Sequence, residues 1–593
     1  MTDSIDRFIS ETEKQISEIK KQISYISFAR IFFFIVFAIE TYRGFGYNIL
    51  FEKISSILSL LFFIILIFSL NTILKKNQFL ENIIKICFEI KNQKSQSEDL
   101  FEDIDLNHAF SYDLDIFGRK SLFEKINRCQ TFFGKEILIS FLKYPLLSHV
   151  DIENRQNAIK ELSSKLEWNI KFLAKIKFKD LNVLNISVVK KWIENDFNKF
   201  NPTYIKLVLV IGPLLNLLFL IFLLIFQLPA KLILIPILVS FTIGKIYRKQ
   251  IKEIYTTIDI KSNELKKIKA TLELIENESF TSINNKNLQE KLVGYNNVKA
   301  SQSIKNLSQL FDAFENRNNL LMSSILNILF LWDLQYTYRI QKYIHENKKF
   351  IPDWFNVIGE FEALISFGLF AYQNPAFIYP LRNENNNVLN AKGLSHPLLS
   401  TELSISNNLH VNHTNTISII TGANMSGKST FLRTVGVNMV LAMNGCPVCA
   451  TSFTFYPVSI FTSMRTNDSL SDGSSYFNAE IKRLKLLIDK LENGEPQFII
   501  LDEILKGTNS TDKLKGSQLF LERIIKMKTF NTCLIATHDL ELTKMQSDYP
   551  DNIMNYCFEL HKEGNLLQPD YILNNGVTQN MNAIQLMKEL NII

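Results

Sequence analysis

At 593 residues the chain exceeds what one hydrophobic core organises, so several folding units are expected. Its 47% hydrophobic and 21% charged residues exclude a disordered or low-complexity chain. The net charge of +6 is spread over many lysines, with no polybasic arm that would by itself specify nucleic acid or anionic lipid.

The polar, acidic start Met1-Thr2-Asp3-Ser4-Ile5-Asp6 lacks the basic region and cleavage site of a signal peptide, and residues 1–22 are expected to form a cytoplasmic helix. Ile54 to Leu74 then runs 21 residues without a charge and is closed by Lys75-Lys76. As a helix it is long enough to cross a hydrocarbon layer of about 30 Å. Leu207 to Phe226 is a second uncharged run, of 20 residues, whose Gly212, Pro213 and Asn216 suit a membrane helix packed on a neighbour. Each run has a weaker companion: Ile23 to Ile39, which contains Arg30, and Leu232 to Gly244, 13 residues between Lys231 and Lys245. For these companions the alternative of a buried core helix stays open.

Paired crossings at 23–76 and 203–247 return the chain to its starting side. Lys75, Lys76, Lys199, Lys206, Lys245, Arg248, Lys249 and Lys252 flank the inner ends, whereas the outer turns carry Arg43, Lys53 and Lys231. This bias predicts a multi-pass membrane protein, with about four transmembrane helices in the bilayer and its soluble parts in the cytoplasm.

Residues 77–202 and 248–390 read as helical, with Ile254, Ile258, Leu265 and Ile268 at helical spacing and long solvated helices as the expected form. Asn- and Lys-rich stretches at 283–298 and 383–390 read as loops. From 391 to 593 short apolar runs alternate with helix patterns. Ile417-Ser418-Ile419-Ile420 and Phe498-Ile499-Ile500-Leu501 read as buried strands of an α/β domain with a parallel sheet. Six cysteines, at 87, 129, 446, 449, 533 and 557, suit a reducing compartment better than a disulfide framework. Cys446-Pro447-Val448-Cys449 has C-x-x-C spacing but no second pair to complete a zinc site.

The chemistry concentrates in the α/β part. Gly422-Ala423-Asn424-Met425-Ser426-Gly427-Lys428-Ser429, with Thr430 behind it, follows a β-branched strand and opens a helix, the context of a phosphate-binding loop. Its backbone N–H groups would face the phosphates of ATP, Lys428 would reach the β/γ-phosphates, and Ser429 would offer a hydroxyl to Mg²⁺. A second strand ends in Asp502-Glu503, where one carboxylate can hold the Mg²⁺ shell and the next can polarise the attacking water. Ala536-Thr537-His538 closes a further apolar strand, and His538 is a candidate sensor of the γ-phosphate or water. Between them Asn467 to Glu480 is a polar, glycine-containing loop opening a long helix.

Ile420 to Phe431 resembles the Walker A segment of the MutS family of ABC-type ATPases, departing at Ala423, where Pro is usual. Leu501-Asp502-Glu503-Ile504 with Lys506 to Asp512 resembles its Walker B region, Ala536-Thr537-His538 its switch histidine, and Ser395-His396-Pro397-Leu398 the entry to its ATPase domain. Gly473 to Glu480 is similar to the signature segment, in which Ser475 matches the serine that approaches the partner subunit's nucleotide. Leu122 to Thr131 with Gly134 and Tyr144-Pro145-Leu146, and later Phe361 to Ser366, are similar to the family's helical core; Tyr571 to Gly576 is similar to its C-terminal strand and turn.

The resemblance implies an α/β P-loop ATPase domain joined to an all-α core and lever region, here carrying transmembrane helical hairpins. It implies ATP and Mg²⁺ as cofactors, with Lys428, Glu503 and His538 catalytic and Ser429 and Asp502 at the metal. It also implies a homodimer with a composite site, and DNA as a partner. No segment before residue 113 resembles the mismatch-reading or connector domain, the hydrophobic pair at 207–244 interrupts the helices that would carry a DNA clamp, and no C-terminal nuclease is expected. A membrane scaffold or transport role without DNA binding is the alternative.

Overall fold

The computed structural model describes residues 2–47, 49–92, 105, 107–177, 202–226, 229–257, 262–315, 320–383, 388–400, 402, 404–411, 415–465, 476–506, 508–563 and 566–578. Ser475, with all of 466–475, lies outside these residues, as do Lys199 and Gly507.

Helices Thr2–Gly46 and Leu50–Lys91 pack as an antiparallel hairpin. Phe33 stacks on Phe62 at 5.3 Å and Phe34 meets Phe63 at 5.4 Å, a register that sets Lys20 and Lys21 level with Lys76 and Lys75. Toward the turn the hairpin exposes Phe32, Phe34, Ile57, Leu61 and Phe68, while Glu40 accepts hydrogen bonds from Ser55 Oγ (2.5 Å) and Ser59 Oγ (3.0 Å). At the other end Ile5, Ile9, Ile16 and Ile19 join Leu80, Ile83, Ile86 and Ile90 in the core.

Among the described residues four helices are long and apolar enough to cross a membrane: Ile5–Gly46, Leu50–Lys91, Tyr204–Leu223 and Ile351–Gln373. The last is 83% buried along its apolar stretch and is the spine of the helical region, packed by helices Phe132–Lys143 and His149–Ser164. Phe361 on that spine sits among Trp168, Phe172 and Phe280. The carboxylate of the next residue, Glu362, accepts the backbone N–H groups of Gln130 (2.6 Å) and Thr131 (3.1 Å) and the Thr131 hydroxyl. Leu234–Ile246, partner of Pro202–Ile225, rises only about 20 Å, short of a full crossing.

Two expectations for the later helical region change. Ile283–Glu290 is a helix rather than a loop, because Ser282 accepts from the Asn285 N–H and Leu288 is buried, which outweighs the Asn/Lys composition. The expected solvated helices between 248 and 348 instead bury a stripe, Leu265, Ile268, Leu272 and Ile275, against Ala300–Glu315.

The remainder is α/β. A four-stranded sheet has the order β1 (Leu381–Arg382), β5 (Ser452–Phe455), β2 (Leu389–Leu394), β3 (Asn407–Val411). A six-stranded sheet has the order β10 (Leu566–Asn575), β9 (Ile553–Glu563), β4 (Thr416–Gly422), β8 (Asn531–Ala536), β7 (Gln497–Asp502), β6 (Ser459–Ser463). Strands β9, β4, β8, β7 and β6 are parallel, and β10 closes the edge antiparallel to β9.

Both faces of the larger sheet are covered, which explains its unbroken apolar strands. Ile417, Ile419, Ile499, Leu501, Cys533 and Ile535 point to helices Tyr476–Glu492 and Ser510–Lys526. Their sequence neighbours Ile420, Phe498, Ile500, Leu534 and Ala536 point to helix Lys428–Met443 and the helical region. All six cysteines are free.

Candidate nucleotide site

Parallel pairing brings the carboxyl ends of β4, β8 and β7 side by side, the end of an open α/β sheet where ligands bind. The ladder extends past the strands: the Glu503 N–H donates to Ala536 O (2.9 Å) and the Thr537 N–H to Ile420 O (3.0 Å). The three segments carrying Lys428, Glu503 and His538 are thereby fixed against one another.

The loop after β4 needs its glycines for space and rotation. A Cβ on Gly422 would meet Ser426 Oγ at 2.8 Å and Phe558 O at 2.9 Å. Gly427, at φ +101°, caps helix Lys428–Met443 from the left-handed region, and a Cβ there would lie 2.9 Å from the Tyr571 ring. Met425 adopts φ +62° with its side chain 87% exposed. Asn424 is exposed too, while Ala423 and Ser426 are buried, Ser429 is half-buried and Thr430 opens to solvent on the helix's first turn.

Lys428 folds back over this loop. Its ammonium donates to Gly422 O and Ala423 O, both at 2.8 Å, and burial pulls its pKa down to about 8 against the opposing pull of Glu503 and Asp502. His538 Nε2 donates to Glu503 Oε1 at 2.9 Å and lies 3.4 Å from Lys428 Nζ. Since the imidazole proton points to the carboxylate and Lys428 is itself a donor, the second approach is proximity, not a hydrogen bond. The His538 hydrogen bond, opposed by burial, holds Glu503 down at about 2. Glu503 and Leu505 both adopt left-handed backbone, φ +51° and +60°, the kind of strain that gathers at functional turns.

The residues present suit a magnesium nucleotide. Ser426 Oγ is buried with no hydrogen-bond partner among the described residues, and the Lys428 ammonium rests on carbonyls that phosphate oxygens could replace. Ser429 and Asp502 offer oxygen donors of the kind Mg²⁺ takes. Among the described residues no three His, Cys, Asp or Glu gather into an all-protein metal site, and an ion shared with phosphates does not need one.

Two groups of residues hold contacts that the sequence motifs do not assign to them. Glu480 is buried on helix Tyr476–Glu492, in line with Leu484, Leu487, Ile488 and Leu491, and its carboxylate accepts the N–H groups of Leu505 (2.5 Å) and Lys506 (3.2 Å). Its signal was an acid in an apolar stripe. The second group is a charged node between residues 108–116 and the end of β6. Asp113 accepts the Thr462 hydroxyl (2.6 Å) and the N–H groups of Met464 (3.2 Å) and Arg465 (2.9 Å), with Arg483 at 3.5 Å. Asp115 receives both ends of the Arg465 guanidinium at 2.7 and 2.8 Å, with Arg433 of the helix after the loop at 3.7 Å. These partners lie more than 300 residues apart in sequence, and no local pattern marks them. His396 is half-buried near Arg433, and desolvation, then that charge, lowers its pKa to about 4.

A family model for MutS domain V matches residues 418–592, and one for MutS domain III matches residues 104–368. The chain is 30% identical over 224 residues to the DNA mismatch repair protein MutS of Thermotoga petrophila, covering 37% of this chain and 27% of that protein. It is 32% identical over 212 residues to the MutS protein homolog 4 of Homo sapiens, covering 34% and 22%. With the DNA mismatch repair protein MutS of Finegoldia magna it shares 28% identity over 493 residues, 75% of this chain and 55% of that one. The chain thus matches about a quarter of the length of the first two relatives.

Proposed function

We propose, from the premise that the chain carries MutS-superfamily domains III and V, that it is a membrane-anchored ATPase. The observation that carries this reading is the meeting of Lys428, His538 and Glu503 beside a glycine-bounded loop at one end of a parallel sheet.

In the proposed cycle the phosphates of ATP lie along 422–430. They take over the Lys428 ammonium from Gly422 O and Ala423 O, and the Ser426 hydroxyl gains an acceptor. Mg²⁺, held by Ser429 and Asp502, would neutralise phosphate charge when bound. Glu503 stays ionised at neutral pH because His538 binds it. A carboxylate of such low basicity orients and polarises a water rather than removing its proton outright. His538, joined to Glu503 and near Lys428, reports on both.

In a homodimer Ser475 would complete the partner's nucleotide site, and Glu480, five residues on, joins that segment to the turn after Glu503. DNA binding is part of the proposal at family level only, supported by what the relatives are named for. Falling affinity for duplex or branched DNA with rising salt tests it, and salt-independent background would remove it.

The anchor reading places hairpins 23–76 and 203–247 in a bilayer, the short Leu234–Ile246 returning the chain together with the turn Ala230–Ile233 before it, and the remainder facing the cytoplasm. It rests on the outward apolar faces and on lysines 20, 21, 75 and 76 meeting at one level of the first hairpin. Lys428→Ala and Glu503→Gln in the full-length protein should abolish phosphate release, with the second still retaining ATP. Unchanged release in both overturns the ATPase assignment.

A further inference from the structure

Helix Leu320–Phe330 is strongly apolar yet was expected within the soluble lever region. It packs on both Pro202–Ile225 and Leu234–Ile246. Its end is distinctive. Asn216 Nδ2 donates to Ser240 Oγ and to Ile328 O, each at 2.8 Å, and Ser240 Oγ donates to the same carbonyl at 2.8 Å. Ile328 contributes one of the last four carbonyls of its helix, which an α-helix leaves without backbone donors. Two side chains from the neighbouring pair satisfy it.

The break that follows is sealed in the same way. Leu331 turns through φ +51° and is buried, with its Cδ1 against Gly212. Asn327 Oδ1 accepts the freed N–H of Asp333 (2.9 Å), while Asn327 Nδ2 donates back to Ser323 O (3.0 Å). The polar groups at the break therefore face one another, and the outer surface is mainly apolar: Met322 and Ile325 are more than half exposed, as are Leu214 and Leu218 on the long helix and Leu238 and Phe241 on the short one, while the exposed Thr242 returns its hydroxyl to Leu238 O (2.5 Å).

Satisfying the freed backbone groups from within the unit, under a mainly apolar exterior, is what a hydrocarbon solvent demands. We propose that Leu320–Phe330 is a lipid-facing element that enters the acyl-chain layer with the second hairpin as a three-helix unit locked by Asn216, Ser240 and Ile328 O. The occupant of its outer face is phospholipid acyl chains, because that face continues the lipid-directed faces of the two helices it rests on. Eleven residues rise about 16 Å, so the element is re-entrant rather than spanning. This rests on the membrane reading above.

The test uses full-length protein in liposomes with nitroxide-labelled acyl chains. An environment-sensitive fluorophore is attached at Met322→Cys or Ile325→Cys, at Leu218→Cys as the hairpin reference and at Leu486→Cys on helix Tyr476–Glu492 as the aqueous reference. Background from the native cysteines is read from the unsubstituted protein. Positions 322 and 325 should be quenched by the lipid as strongly as 218 and several-fold more than 486. If 218 is quenched while 322 and 325 behave like 486, the inference falls and the anchor stands. Loss of quenching at 218 as well removes both. Shielding of 322 and 325 from lipid nitroxide and aqueous iodide alike would mean a protein partner, such as a second copy, covers this face, and would also overturn it.

Discussion

Replacing Asp113 by Asn changes no shape and removes one charge, so its effect isolates the node that ties residues 108–116 to β6. The carboxylate is 1% exposed and accepts three hydrogen bonds. An amide keeps one acceptor oxygen and turns an NH₂ toward N–H donors, so at least one backbone donor, from Met464 or Arg465, is orphaned. A lost charge-assisted bond is worth about 1.5–3 kcal/mol, and an orphaned buried donor about 1–3 kcal/mol. Arg483 offsets part of the loss, since it also donates to the carbonyls of Thr462, His108 and Ala109. A local destabilisation of about 3 kcal/mol follows, or roughly a hundredfold faster amide exchange if the segment opens locally. Hydrogen-exchange mass spectrometry of peptides across 108–116 and 459–465 reads this directly. Protection unchanged within about twofold would refute the account of the node.

Burial holds Lys428 down at about 8 in the nucleotide-free protein, and phosphate would raise it, so ATP binding at a pH of about 8.5 should take up a fraction of a proton. Calorimetry in two buffers of different ionisation enthalpy should show the uptake, and Lys428→Met should lose it. Glu480→Ala, which strips the acceptor from Leu505 and Lys506, should lower kcat for ATP by about tenfold or more with a smaller change in KM, and Glu480→Asp should recover part of it. Burial raises Glu362 to about 7, above its unfolded value near 4.5, so this group's contribution is full below the lower value and is lost as pH rises through the higher one. Local stability around Thr131 should therefore fall by roughly 1–3 kcal/mol between pH 4.5 and 7, and Glu362→Gln should flatten that dependence in exchange experiments.

The parts of this fold that could be read in the sequence are those whose environment is uniform along the chain. Strands β4, β7 and β8 are covered on both faces, so each appears as an unbroken apolar run, and the glycine loop follows β4 directly. The long apolar helices are legible for the same reason, because one solvent surrounds many consecutive residues. Helix Leu320–Phe330 was hidden by Ser323, Ser324 and Asn327, which look polar in sequence, although Ser323 and Asn327 bond each other one turn apart. Ile283–Glu290 was hidden by its Asn and Lys content, which the cap from Ser282 outweighs. Asp113 meets partners about 350 residues away, and only the folded chain creates its environment. Ile351–Gln373 is the reverse case, a helix apolar enough for a membrane that is instead enclosed by its own protein.

Leu50–Lys91 is one unbroken helix from the tip of the first hairpin to the helical region. There Asn82 donates to Ala174 O, Glu89 pairs with Lys177 at 2.6 Å, and Ile90 O accepts from Gln373 at the end of the buried spine. From Asn82 to Leu50 the rod measures about 48 Å, so a tilt of only about 10° at its base would swing the tip through about 8 Å. Such a lever would have high gain, its stroke limited by the angular play left at a base that also buries Leu80, Ile83, Ile86 and Ile90. Tightening or loosening Asn82, Glu89 and Gln373 would therefore tune displacement at the far end without touching either the tip or the nucleotide loop.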